Sequence, residues 1–139
     1  MMSELPLKGI RVIDLGQVYA GPYCTSQLAY LGAEIIKIEP PVSGEYLRMP
    51  QSAGGASYAF LLLNPNKKSV ALNLKHPNGR EILMRLLADA DVFVENYTEG
   101  VMEKLGLDYA QLAPRFPRLI YASGKGYGSD SKWSQLGAM

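Results

Sequence analysis

The chain has one cysteine, Cys24, and one histidine, His76. A lone thiol excludes an intrachain disulfide framework, and no Cys/His spacing suggests a zinc site. Such scarcity fits a reducing cytoplasm. An excess of charge is missing too: 14 Lys+Arg stand against 13 Asp+Glu, a formal net charge of +1. A balance this even creates no general field for nucleic acid or an anionic membrane, so an anionic ligand must be met by locally clustered bases. Long apolar runs are absent. The most apolar stretch, Tyr58 to Leu63, is far too short to span a bilayer. The opening MMSELPLKGIRVIDLG carries Glu4 and no apolar block, which argues against a signal peptide. Phosphate fingerprints fail as well. In Gly16-Gln17-Val18-Tyr19-Ala20-Gly21-Pro22 a proline occupies the lysine position of a P-loop, and the G-x-G-x-x-G spacing of dinucleotide sites is not met. There is no internal repeat and no low-complexity tract.

What remains is a chain of 139 residues, 47% hydrophobic and 19% charged, suited to one compact α/β domain. Short β-branched runs alternate with amphipathic segments, which predicts βαβ units on a parallel sheet. Ile10 to Leu15 reads as the first strand. Pro22 opens a helix over Tyr23 to Leu31, stopped by Gly32. Glu34 to Glu39 is a second strand, ended by Pro40-Pro41. Val42 to Ala56 reads as a functional loop or short insertion, and Tyr58 to Leu63 is ambiguous between helix and strand, with helix preferred. Ser69 to Asn73 is a third strand, and Pro77 to Asp89 a helix with Ile82, Leu83, Leu86 and Leu87 on one face. Asp91 to Glu95 is a fourth strand. Short helical pieces at Val101 to Leu105 and Tyr109 to Ala113, broken at Gly106 and Pro114, lead to a last strand at Leu119 to Ala122. The polar stretch Gly128 to Met139 ends without a closing element, so the chain reads as a fragment.

In an open parallel sheet, ligands bind beyond the carboxyl ends of the strands. That rule selects Gln17 to Pro22, Pro40 to Gly44, Asn73 to His76, Asn96 to Gly100 and Ser123 to Gly128. Gly21 would allow close backbone approach in the first of these, with helix amides facing a ligand; a plain tight turn is the alternative. Lys67 and Lys68 just before the third strand and Lys75 after it form either a solvated basic rim or a phosphate-neutralising groove. Lying at opposite ends of that strand, they do not share one phosphate. Ser123-Gly124-Lys125-Gly126-Tyr127-Gly128 suits a lid or acyl-binding loop, or simply a mobile connection. Asn96 either hydrogen-bonds a ligand amide or caps the next turn. His76 reads as a surface residue and Cys24, inside a helix, as packed. Asp14, Glu39 and Glu95 end strands, and nothing in the sequence pairs them into an acid/base set.

Five stretches, PLKGIRVIDLG, AGPYCTSQLAYLGAEIIKIEPP, LNPNKKSVALNLKHPNGREIL, DADVFVENYTEGVMEKLGLDYAQL and PRLIYASGKGYG, together resemble the class III (CaiB/BaiF) CoA-transferases in order and spacing. The resemblance implies a Rossmann-like α/β part, a parallel sheet flanked by helices, incomplete relative to the family's full domain. It implies an acyl-CoA:carboxylate CoA-transferase, with CoA or acyl-CoA and a small carboxylic acid as substrates and no separate cofactor. The full-length family member forms an interlocked homodimer. By matching position, Tyr19, Ala20, Leu72, Asn73, Leu74, Lys75, Asn96, Tyr97 and Thr98 would line the CoA site, with Lys104 at its nucleotide end. Gly137, Ala138 and Met139 would lead into the active centre. Two departures stand out: Pro40 replaces an arginine of the oxalate-linked transferases, and Gly137 replaces a frequent lysine or arginine. Both weaken formyl-CoA/oxalate specificity and would shift phosphate contacts to bases such as Arg48 or Lys68. The family's nucleophilic aspartate, which forms a mixed anhydride with the acyl group, falls beyond Met139, so no catalytic residue is expected here. A 2-methylacyl-CoA racemase of the same family, whose His-Asp pair would also lie later, and a non-catalytic CoA-binding module are the alternatives.

Overall fold

The structure, a computed structural model, describes residues 4–48, 57–134 and 136. Five strands form one sheet: β1 (Arg11–Asp14), β2 (Glu34–Glu39), β3 (Lys67–Ala71), β4 (Val92–Glu95) and β5 (Ile120–Ser123). Their order is β3-β2-β1-β4-β5, and every pairing is parallel. Helices α1 (Ala20–Tyr30), α2 (Tyr58–Leu63), α3 (Pro77–Ala88), α4 (Val101–Leu105) and α5 (Tyr109–Leu112) connect them, with a single 3₁₀ turn at Tyr46–Arg48. The chain is therefore α/β with a Rossmann-like sheet, as its sequence predicts.

Successive strand side chains point to opposite faces, which divides the core in two. Ile13, Ile38 and Phe93 pack with Leu83 and Leu87 of α3, Met102 of α4 and Leu112 of α5. Val12, Ile35 and Val94 face the other way, with Ala29 of α1. The small side chains on this second face let α1 lie close to the sheet. The first turn of α3 is closer still: a Cβ on Gly79 would stand 2.1 Å from the carbonyl oxygen of Asn73. Only glycine permits that approach, and it fixes the segment after β3 against the helix.

Three sequence expectations change. β3 begins at Lys67 and ends at Ala71, two residues earlier than Ser69–Asn73, because residues 67–71 pair one for one with 35–39 of β2. Lys67 and Lys68 thus belong to the strand rather than precede it. α1 starts at Ala20; Pro22 sits in its first turn, where a missing N–H costs nothing. Cys24 lies on the exposed side of α1 and is not packed. The segment at 58–63 resolves as helix, begun by Ser57, whose hydroxyl accepts from Phe60 N–H at 3.1 Å. Of the loop over 42–56, residues 49–56 lie outside the described residues, as do Gly137, Ala138 and Met139.

Candidate CoA-binding site at the strand carboxyl edge

Strand order reverses between β1 and β4, so the loops after these strands diverge and leave a crevice between them. The loop after β1 is held by side chains from several elements. Asp14, at the end of β1 and fully buried, accepts from Gly16 N–H at 2.7 Å and from the Thr25 hydroxyl at 2.6 Å. Lys37, buried in β2, donates to the Gly16 carbonyl at 2.6 Å. The Asn96 carboxamide clasps the Gln17 peptide from both sides, accepting from its N–H at 2.6 Å and donating to its carbonyl at 2.9 Å. Buried Glu45 accepts from Val18 N–H at 2.7 Å. Val18 carries a φ of +62°, a conformation that a β-branched residue adopts only under constraint. Gly16 and Gly21 meet below the loop, where a Cβ on Gly21 would lie 2.6 Å from the Gly16 Cα. Asn96 therefore serves the loop, and its side chain points inward.

Two buried ammonium groups balance these carboxylates. Lys67 Nζ lies 3.1 Å from Asp14 Oδ2, and Lys37 Nζ 3.9 Å from the same atom. Burial pushes the Lys67 pKa down, and the Asp14 charge pulls it partly back. Lys67 is neither a solvated rim residue nor free for phosphate. Lys68, at the amino-terminal end of β3, pairs with Glu34 at 2.5 Å, away from the ligand edge. Arg48 is forked onto Glu39 at 2.5 and 2.8 Å and stacks over Phe60 with its guanidinium 4.1 Å from the ring centre. Burial tends to raise the Glu39 pKa, but Arg48, the Ser69 hydroxyl and the Glu45 N–H more than offset this and hold it at about 2. Both bases named as substitutes for phosphate contact are thus paired with carboxylates, Arg48 with buried Glu39 and Lys68 with Glu34.

Cations without a carboxylate partner among the described residues do stand at the edge. Lys75 and Lys104 both line an apolar groove of about 650 Å³ whose walls include Ile38, Pro41, Val42, Leu72, Leu74 and Tyr97. This groove brings together Leu72, Asn73, Leu74, Lys75, Tyr97 and Lys104 from the sequence-derived set. Tyr97 also borders a second hollow, of about 320 Å³, reached by Ala20, Asn96, Thr98, Lys125 and Leu136. Burial raises the Tyr97 phenol pKa, so the hydroxyl stays neutral where the two hollows meet. Tyr19 lies exposed beside α1 as its N-terminal cap residue, with no side-chain cap on the first-turn amides. Lys125 is held at 3.0 Å from both oxygens of buried Glu95 and donates to the Tyr97 carbonyl at 2.6 Å. Ser123 bonds the same carboxylate. The glycine-spaced loop is therefore pinned at its lysine.

Sequence reasoning missed Glu45 and Lys37, whereas Pro41 and Val42 of the groove wall fall in the selected segment Pro40 to Gly44. The register gives one usable signal: Lys37, a lysine inside an apolar parallel strand, pairs across with Asp14. In the loop next to the crevice, Gln17 Nε2 is buried without a hydrogen-bond partner among the described residues.

The profile described as CoA-transferase family III matches residues 7–139. The chain belongs to that family. Family III relatives include the human succinyl-CoA:glutarate CoA-transferase, 44% identical over 137 residues that make up 97% of this chain and 31% of that protein. The formyl-CoA:oxalate CoA-transferase of Afipia carboxidovorans is 40% identical over 88% of this chain and 29% of its own length. Among solved structures, a CAIB/BAIF family protein from Brucella suis superposes with a TM-score of 0.88 at 33% identity, over 97% of this chain and 37% of that one. A hypothetical protein from Mycobacterium tuberculosis gives 0.87 at 40% identity, over 96% and 36%. The chain spans about a third of the length of the family III relatives it matches.

Proposed function

We propose that this chain forms the CoA-binding part of an acyl-CoA:carboxylate CoA-transferase. The observation that carries the proposal is the groove in which Leu72–Lys75, Tyr97 and Lys104 converge at the carboxyl edge of a parallel sheet. An apolar trough with two available ammonium groups suits the nucleotide of CoA: the walls take the purine and ribose, and the lysines take phosphate. No cation stands at Pro40, so the phosphate contacts fall to Lys75 and Lys104. The pantetheine arm would pass Tyr97 into the smaller hollow near Ala20, Thr98 and Lys125, placing the thioester toward Leu136. The names of relatives such as the succinyl-CoA:glutarate, succinyl-CoA:L-malate and formyl-CoA:oxalate CoA-transferases favour transfer over racemisation or a non-catalytic module. In this reading CoA is a substrate and not a resident cofactor, the acceptor is a small carboxylic acid, and the compartment is the cytoplasm. The whole protein works as an interlocked homodimer.

The chemistry follows the family resemblance. An aspartate beyond Met139 attacks the thioester carbonyl, CoA thiolate leaves, and the acyl group remains as a mixed anhydride. The incoming carboxylate then attacks the aspartyl carbonyl of this anhydride and expels the donor as its free carboxylate, and the CoA thiolate attacks the acceptor's acyl carbon, forming the new thioester and freeing the aspartate. The residues here bind and orient the thioester. Calorimetry of the chain with CoA tests this. We expect binding that weakens with salt. The Lys75→Ala/Lys104→Ala double variant should bind about tenfold or more weakly, the loss of about 1.5 kcal/mol expected for one charged hydrogen bond. A chain that ignores CoA refutes the reading; unchanged binding by the variant refutes the placement of the phosphates.

A further inference from the structure

Just past β2 the backbone makes a reversal that the fold alone does not explain. The Ser43 N–H donates to the Pro41 carbonyl at 2.9 Å, closing a ring over Val42, whose φ is +73°. The Gly44 N–H returns to the Pro40 carbonyl at 3.0 Å and tightens the same loop. Val42 is thus the apex of a γ-turn of the positive-φ kind, the rarer and strained form. Valine suits that position poorly, because its two γ-methyls crowd the backbone on the side where glycine has none. A glycine is close by at Gly44, itself at a φ of +65°, so the chain uses glycine at one such site and not at the other. No contact among the described residues compensates Val42. Its relative exposure is 109%, so its methyl groups meet water on every side.

A residue that is both strained and fully wetted in the free protein needs a return from outside the chain. Val42 forms part of the wall of the groove that also holds Lys75 and Lys104, and two cations in an apolar trough fit an anionic ligand with a flat apolar portion. We propose that Val42 is a specificity-determining residue, an apolar tip held at the lip of this groove by the γ-turn to cover the purine of a CoA nucleotide. The inference rests on the CoA reading above and adds to it the residue that selects the nucleotide. Ligand binding would dry the valine methyls and so offset strain that the free chain carries uncompensated.

Calorimetry and thermal unfolding of the chain test the inference, with CoA and 4′-phosphopantetheine as ligands and Val42→Ala and Val42→Gly as variants. Both variants should bind CoA about three- to tenfold more weakly, the range set by losing two partly buried methyl groups. Both should bind phosphopantetheine, which has no nucleotide, as the unaltered chain does. Val42→Gly alone should unfold at a higher temperature than the unaltered chain, since only it releases the turn. If the unaltered chain binds CoA and both variants match it, the inference falls and the CoA reading stands. Equal weakening toward both ligands, or no thermal gain in Val42→Gly, also overturns it. A chain without CoA affinity removes the CoA reading and this inference together.

Discussion

At the residue scale, buried charge is organised before any ligand arrives. Glu39 shows how. It is 3% exposed, yet it stays ionised because a guanidinium, a hydroxyl and a peptide N–H all face it. Its pKa in the folded chain, about 2, lies below its ordinary value of 4.5. The ionised form therefore favours the native state above about pH 4.5, and that contribution is lost as pH falls toward about 2. Arg48→Met leaves the carboxylate buried without its main partner. We expect a loss of about 1.5–3 kcal/mol at pH 7, shrinking as the medium is acidified. Urea titrations at pH 7 and pH 3 check this, and an equal loss at both values would contradict it. The strand-end carboxylates Asp14, Glu39 and Glu95 were visible in the sequence, but their partners were not. Lys67, Arg48 and Lys125 come from 53, 9 and 30 residues away, and only the folded register makes them neighbours.

At the scale of elements, legibility followed how plainly the ends were marked. β2 was read to the residue because Glu34–Glu39 carries three β-branched isoleucines between Gly32-Ala33 and Pro40-Pro41. β3 was misplaced because Lys67 and Lys68 look like loop residues, whereas one is neutralised by Asp14 under the sheet edge and the other is solvated beside Glu34. α3 was read nearly whole from its apolar stripe and Pro77, but Gly79 gave no sign of its purpose. Two effects compete there. Alanine in a helix gains about 1 kcal/mol over glycine in propensity. A methyl group 2.1 Å from the Asn73 carbonyl forces a backbone shift, and overpacking of this kind costs about 1–3 kcal/mol. The clash wins, so Gly79→Ala should lower stability and also weaken CoA binding by displacing Leu72–Lys75. Unfolding and calorimetry on the same sample would show both losses, and a variant as stable as the original would refute the account.

At the scale of the molecule, the parallel sheet and its edge were recoverable from alternation and loop composition alone, because loops rich in glycine, asparagine and lysine all follow strands. The hollows could not be read this way, since they depend on which loops touch. The family resemblance places the nucleophile outside this chain, and the strand-end carboxylates Asp14, Glu39 and Glu95 each hold a cation. We therefore expect the chain to bind CoA and to move no acyl group. Incubation with succinyl-CoA and glutarate, followed by chromatography of the thioesters, should show no glutaryl-CoA, and its appearance would overturn this expectation.

The Asn96 clasp on the Gln17 peptide has a thermodynamic consequence of its own. It joins residues 79 positions apart, one from each half of the sheet, beside the crevice where strand order reverses. The two halves of the sheet part only when this clasp breaks, and a guest that touches both of them adds to what must be broken. Occupancy and cooperativity are then coupled, and a filled crevice turns two supersecondary units into a single melting body.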